Sequence, residues 1–208
     1  MIRETLAVGL LQCNCTILGD EVSRDAIVVD PGDDLPRILL LLAKHQLTVR
    51  RIVVTHAHID HIAGALELQR ITNAPITWNA ADLPLLALMG DQAAMFGLPT
   101  PEVAPPDHSP ADNEALTVRG IDATILHTPG HSEGSLSVHV PAEKLLLAGD
   151  TLFASGVGRT DFPGGNFGKL MSSIRERLLP LPPETIVIAG HGPETSIGEE
   201  ARSNPFLR

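Results

Sequence analysis

The sequence predicts an α/β layered fold. Short apolar runs bounded by Gly, Pro or charged residues recur along both halves of the chain, and helical patterns fall between them. Apolar residues make up 43% of 208 residues, and adding glycine brings the share to about half, enough for one well-filled core. With one Trp, no Tyr and five Phe, that core must rest on Leu, Ile, Val and Ala. The expectation is a single domain over 1–208, without internal repeat or linker.

In chain order, Leu6 to Val8, Thr16 to Leu18 and Ala26 to Val29 read as short strands, the last closed by the turn Asp30-Pro31-Gly32. Leu35 to Gln46 is a Leu-rich helix, followed by a strand from Arg51 to Thr55. A helical pattern follows from about Ile62 to Ile71, then a short strand from Pro75 to Trp78 and a helix from Ala80 to Met89. Residues 91 to 112 carry Pro99, Pro101, Pro105, Pro106 and Pro110, a density that prevents regular pairing, so they are expected to form a surface loop or the wall of a pocket. Ala123 to Leu126, Leu136 to Val140, Lys144 to Leu147 and Thr185 to Ile188 are further strands, and a helix from about Phe167 to Leu179 separates the last two.

Charge and cysteine usage exclude several classes. The net charge of −10 lacks the clustered Lys and Arg that hold nucleic acid, although a buried cationic centre could still attract a small anion. Cys13 and Cys15 sit too close for a good disulfide and have no other partner, which fits free thiols in a reducing cytoplasm. The longest aliphatic run, Ile38 to Ala43, is far short of a membrane span, and the N-terminus lacks a signal-like stretch. A cytoplasmic protein with no nucleic-acid or membrane partner is expected.

The chemistry-bearing residues follow strands. Arg51 to Thr55 leads into His56 and His58, Ala123 to Thr128 into His131, Lys144 to Gly149 into Asp150, and Thr185 to Gly190 into His191. Strand ends fix side chains on a rigid scaffold while the loop keeps them open to ligand. Glycines at 130, 149, 190 and 192 are expected to leave room around that site. In an extended segment, positions 56, 58 and 60 point the same way, so His56, His58 and Asp60 should converge beside His61. Four potential ligands in six residues are costly to bury unpaired, and imidazole with carboxylate suits Zn, Fe or Mn rather than a thiolate zinc knuckle. His45, His108, His127 and His139 lack such a context and are expected to be structural.

Thr55-His-x-His-x-Asp-His61, Pro129-Gly-His131, Gly149-Asp150-Thr151 and Gly190-His191 together resemble the metallo-β-lactamase superfamily over nearly the whole chain. Gly158-Arg-Thr-Asp-Phe-Pro-Gly-Gly165 and Gly190-His-Gly-Pro-Glu-Thr-Ser-Ile-Gly198 are similar to short glyoxalase II-type hydrolases. The resemblance implies an αββα sandwich, two mixed β-sheets face to face with helices outside and metals at one edge. It implies that His56, His58 and His131 hold one divalent ion, that Asp60, His61 and His191 hold a second, and that Asp150 bridges both. Zinc is expected, with Fe or Mn as alternatives. Two carboxylates and one hydroxide carry three negative charges against four positive, leaving a surplus for an oxyanion.

The implied reaction is attack of a water, ionised at neutral pH, on a thioester carbonyl, with Asp60 orienting it and taking its proton. The departing thiol, with a pKa of roughly 8.5, needs no strong general acid. Asp30 is expected to support the histidines from behind. The implied substrate is a small thioester, glutathione-derived, such as S-D-lactoylglutathione. Arg159 falls where the family contacts the glutathione carboxylate, or else pairs with a surface acid. With no Tyr in the sequence, a counterpart to the family's glutathione-binding tyrosines is missing, and its additional C-terminal helical domain is not expected. The alternative is a persulfide dioxygenase of the same fold, which carries a segment like Gly156-x-Gly-Arg-Thr-Asp-Phe162 but works with a single iron. β-Lactamases resemble the chain at the histidines but lack an aspartate at the bridging position. RNA-processing nucleases share that aspartate, but the acidic balance disfavours them.

Overall fold

A computed structural model describes residues 1–208. Strands β1 (Ile2–Val8), β2 (Cys13–Gly19), β3 (Asp25–Val29), β4 (Thr48–Val53) and β5 (Ile76–Thr77) form the first sheet in chain order. β1 to β3 pair antiparallel, whereas β3, β4 and β5 run parallel. Between the parallel strands the chain crosses over through α1 (Leu35–Lys44) and then α2 (Ile59–Ile62) and α3 (Ala65–Thr72).

The second sheet contains β6 (Ala115–Val118), β7 (Ile121–His127), β8 (Leu136–Val140), β9 (Leu145–Gly149), β12 (Ile186–Ala189) and β13 (Thr195–Ser196), in the order β13-β12-β9-β8-β7-β6. Only β9 and β12 pair parallel within it. A small hairpin of β10 (Leu152–Phe153) and β11 (Gly156–Val157) follows β9. Helices α4 (Leu83–Ala87) and α5 (Met89–Phe96) precede the second sheet, α6 (Phe167–Ser173) continues as a wider π turn over Ile174–Leu178, and α7 (Ile197–Ser203) closes the chain.

The period-2 alternation of the strands makes the layers. From β2 and β3, Leu18, Ile27 and Val29 face inward and meet Ile125, Val138, Leu145 and Leu147 of the other sheet. Their neighbours Ile17 and Val28 face outward, onto Ile38, Leu42 and Leu68 of α1 and α3. Leu146 and Ala148 face outward on the second sheet, under Leu170, Ile174 and Ile197. Three apolar layers between four layers of secondary structure constitute the αββα sandwich. No helix is long and apolar enough to cross a membrane.

Three expectations change, the first being the helix expected from Ala80 to Met89, which is a 3-10 turn at Ala80–Asp82 followed by α4, with Met89 already opening α5. Residues 91 to 96 are not loop: α5 runs to Phe96 and ends at Gly97 in the left-handed region, since the first proline comes only at Pro99. The helix expected from Ile62 to Ile71 is two helices, α2 beginning three residues earlier and α3 restarting at Ala65. At the break, a side chain on Gly64 would collide with the Pro31 carbonyl, so the absence of a Cβ lets the chain pass.

Candidate metal centre

The loops that follow β4, β7, β9 and β12 meet at one edge of the sandwich. Their backbones are tied together: Leu136 N–H donates across the two sheets to Thr55 O (2.9 Å), and within the second sheet Gly190 N–H donates to Gly149 O (2.8 Å). Asn14 N–H adds a third tie to Gly190 O (2.7 Å), and its side-chain amide donates to Ala189 O (2.9 Å) and Gly192 O (3.0 Å). One residue of β2 thereby grips three carbonyls around His191.

His56, His58 and His131 form the first group, with one ring nitrogen from each lying within 4.8 Å of the others. His131 Nε2 lies 2.9 Å from His58 Nδ1 and 3.1 Å from His56 Nε2. A single lone pair on Nε2 can accept only one of those two as a hydrogen bond, so the trio is not satisfied by its own protons. Burial, reinforced by the neighbouring rings, pushes His56 well below the usual imidazole range, and pushes His58 down to about 3. Neutral rings facing one another with lone pairs inward are the chemistry of a cation site. Zinc–nitrogen bonds of roughly 2.0–2.1 Å place tetrahedral ligand nitrogens about 3.3 Å apart, close to the spacings here.

Asp60, His61 and His191 form the second group. His191 Nε2 lies 3.0 Å from Asp60 Oδ2, and His61 Nε2 lies 3.6 Å from the same oxygen. Asp150 stands between the groups, with Oδ2 3.6 Å from His131 Nε2 and 3.8 Å from His191 Nε2, and Oδ1 3.5 Å from His61 Nε2. His61 Nε2 and Asp150 Oδ1 are both buried without a hydrogen-bond partner. Such orphans are rare and costly unless a cation completes them, so the residues present fit two divalent ions.

The supporting contacts set which nitrogen of each ring is free. Asp30 accepts at Oδ2 from His61 Nδ1 (2.9 Å) and Thr55 Oγ1 (2.8 Å), and at Oδ1 from Thr55 N–H (2.7 Å). A carboxylate only accepts, so the proton of His61 lies on Nδ1 and Nε2 points into the site. His131 Nδ1 donates to Arg159 O (2.8 Å), which frees its Nε2 in the same way. Gly190 supplies room: a Cβ there would overlap Asp150 Oδ1 and His61 Cε1. Gly192 has nothing within 4 Å and is needed instead for its φ of +77°, which corrects the expectation that it makes space.

All seven sequence-predicted residues come together, but by another route. The segment is not extended to position 60: His58 is the N-cap of α2, and Asp60 and His61 leave from its helical turn. His56 and His58 therefore serve the first group, and the turn redirects Asp60 and His61 to the second. Arg159 lies at the site but is engaged, its Nε and Nη2 each 2.7 Å from Asp161 and its guanidinium 3.8 Å over the Phe162 ring. The other histidines stand apart: His45 pairs with Glu4, His108 with Glu114, and His127 with Glu133 O, and His139 lies opposite Thr124 on β8.

Sequence reasoning missed Asp82. Fully buried, it accepts from Ala57 N–H (3.0 Å), Ser132 Oγ (2.8 Å) and Gly134 N–H (2.6 Å), clamping the His56–His58 loop to the His131 loop. Its only signal was a lone acid before a proline-started helix, which reads equally well as a cap. A cleft of about 410 Å³ opens above the metal-binding groups, walled by α4, α5 and the Phe162-Pro163 turn, a size usual for small-molecule sites.

The sequence compares with known proteins along its whole length. It is 39% identical to the Haemophilus influenzae protein named hydroxyacylglutathione hydrolase GloC, over 98% of this chain and 97% of that one. Among solved structures, the BLEG-1 B3 metallo-beta-lactamase superposes with a TM-score of 0.92 at 35% identity, covering 99% of both chains. TTHA1623 in a di-iron-bound form superposes with a TM-score of 0.87 at 36% identity, covering all of both chains. The metallo-beta-lactamase superfamily matches residues 8–191. On this sequence match, and on the sandwich whose edge carries the histidines and aspartates, the chain belongs to the metallo-beta-lactamase superfamily.

Proposed function

We propose that this chain is a metal-dependent hydrolase of thioesters, cleaving substrates such as S-D-lactoylglutathione to D-lactate and glutathione. His56, His58 and His131 would hold one divalent ion, Asp60, His61 and His191 a second, and Asp150 both. The observation that carries this reading is Asp150, whose two oxygens reach toward both groups while Oδ1 has no other partner. Bound there, the ions supply a water ionised near neutral pH and positive charge for the carbonyl oxygen. Zinc suits these ligands, and the di-iron form of a similar protein keeps iron beside it.

The chain's own residues do the rest. Asp60 is nearly buried, which alone would raise its pKa, but His61 and His191 outweigh this and hold the carboxylate well below its usual range. It stays ionised, an acceptor aimed at the water that attacks. Arg159, stacked on Phe162 at the cleft wall, supplies the cation for an acidic substrate arm, exchanging part of its pairing with Asp161. The thiol leaves as thiolate, its pKa of about 8.5 requiring no strong acid from the protein. Free buried Cys13 and Cys15 fit a reducing cytoplasm as the working compartment.

The test is a paired assay of the purified, metal-loaded protein. S-D-lactoylglutathione should be hydrolysed, with release of free thiol, and a β-lactam should be a far poorer substrate. Oxygen uptake driven by glutathione persulfide, without thioester cleavage, would replace this reading with that of a mononuclear-iron dioxygenase.

A further inference from the structure

The cleft above the metal-binding groups is two-sided. On one side, Arg159 and Phe162 adjoin His131, whose Nδ1 donates to the Arg159 carbonyl. On the other, α4 and α5 present Leu85, Leu88, Met95 and Phe96, and α5 is joined to the Asp60 turn because Ile59 N–H donates to Gln92 Oε1 (3.0 Å). The Gln92 amide also donates to Leu85 O (3.3 Å), so it has backbone partners at both ends. Asp91 is the one charged side chain among the cleft residues contributed by α4 and α5, and it is an anion. That side therefore offers a carboxylate no cation. It offers an uncharged group apolar contact, and Met95, 63% exposed, stands in water until something covers it.

We infer that the preferred substrate carries an apolar acyl group larger than lactoyl, aromatic or of about six carbons, seated on the Leu85, Leu88, Met95 and Phe96 wall. The acidic thiol arm then lies on the Arg159 side, where the cleft has its cation. This assignment rests on the thioester-hydrolase reading of the site and specifies its substrate class. A lactoyl group, short and hydroxylated, leaves the wall uncovered and gains little from it.

The metal-loaded protein should be assayed with glutathione thioesters that differ only in acyl group: lactoyl, hexanoyl and phenylacetyl. The expected kcat/KM for phenylacetyl and hexanoyl exceeds that for lactoyl at least tenfold. Most of the gain should lie in KM, since contacts made equally before and during reaction lower KM. Met95→Glu, at an exposed position that does not endanger folding, should reduce the phenylacetyl-to-lactoyl ratio at least fivefold. Calorimetry gives a readout apart from turnover, in which phenylacetate binds more tightly than lactate. Equal or better cleavage of lactoylglutathione, or a ratio unmoved in Met95→Glu, overturns the inference and leaves the hydrolase reading standing. If no thioester is cleaved while phenylacetate still outbinds lactate, the hydrolase reading fails and the apolar subsite stands.

Discussion

Asp30 Oδ2 lies 2.9 Å from His61 Nδ1, and both side chains are buried behind the second metal-binding group. The contact fixes the ring's tautomer and aim from a residue that touches no substrate. Removing such a support costs roughly 10- to 100-fold in metal affinity at other centres. Asp30→Asn should therefore weaken one ion and spare the other. Titration against a competing chelator should show one tight and one weakened site, and two unchanged sites would dismiss the role.

Asp82 should matter to stability as much as to chemistry. Its carboxylate takes three hydrogen bonds from two loops, and Asp82→Ala leaves Ala57 N–H, Ser132 Oγ and Gly134 N–H without that acceptor. Losing buried hydrogen bonds to a charged group costs about 2–4 kcal/mol in all, or roughly 4–16 °C in Tm for a chain of this size. Thermal unfolding of the metal-loaded variant measures it, and a shift under about 2 °C would show that the two loops do not depend on the clamp.

Asn14 offers a more selective test. Asn14→Ala removes the two amide donations to Ala189 O and Gly192 O but keeps the backbone tie to Gly190 O. The His191 loop should loosen, so amide hydrogen exchange at residues 189–192 should speed up by about tenfold, as loss of roughly 1.4 kcal/mol of local stability implies. The His131 loop should keep its protection. Unchanged exchange around His191 would count against the latch.

A pH-dependent contribution comes from Glu4, far from the metal centre. Lys44 and His45 hydrogen-bond its carboxylate and hold its pKa below the usual value, against a small opposing effect of burial. A depressed folded pKa means that the stabilisation is fully present above the unfolded value of about 4.3 and is lost as pH falls through the folded one. Glu4→Gln should lower Tm at pH 7 by no more than about 3 °C, the scale of a partly exposed ion pair. The gap should close in acid, below roughly pH 4. A gap that persists there would assign the effect to packing.

The layers, and the residues that cluster as candidate ligands, were legible in the sequence because each rests on local rules. Strand periodicity placed Ile27 and Val29 on one face and Val28 on the other, and polar residues right after apolar runs marked His56, His131, Asp150 and His191. The path from His58 to His61 was not legible, because extended and helical backbones both bring these side chains near one point. Only the helical turn of α2 divides them between two groups. β6 went unseen since Ala115 and Thr117 face solvent on an edge strand, leaving only Leu116 and Val118 turned inward. Asp82 and Asn14 were invisible for a different reason: their partners lie 25 to 178 residues away, and nothing beside them in sequence announces a buried network.

The account turns on Asp150 serving two metal-binding groups at once. The most direct measurement is the number of divalent ions bound per chain, by elemental analysis of protein saturated with Zn and freed of excess. About two ions per chain are predicted, falling toward one in Asp150→Asn as the shared ligand is weakened. A wild-type protein that saturates at a single ion would contradict the two-ion site.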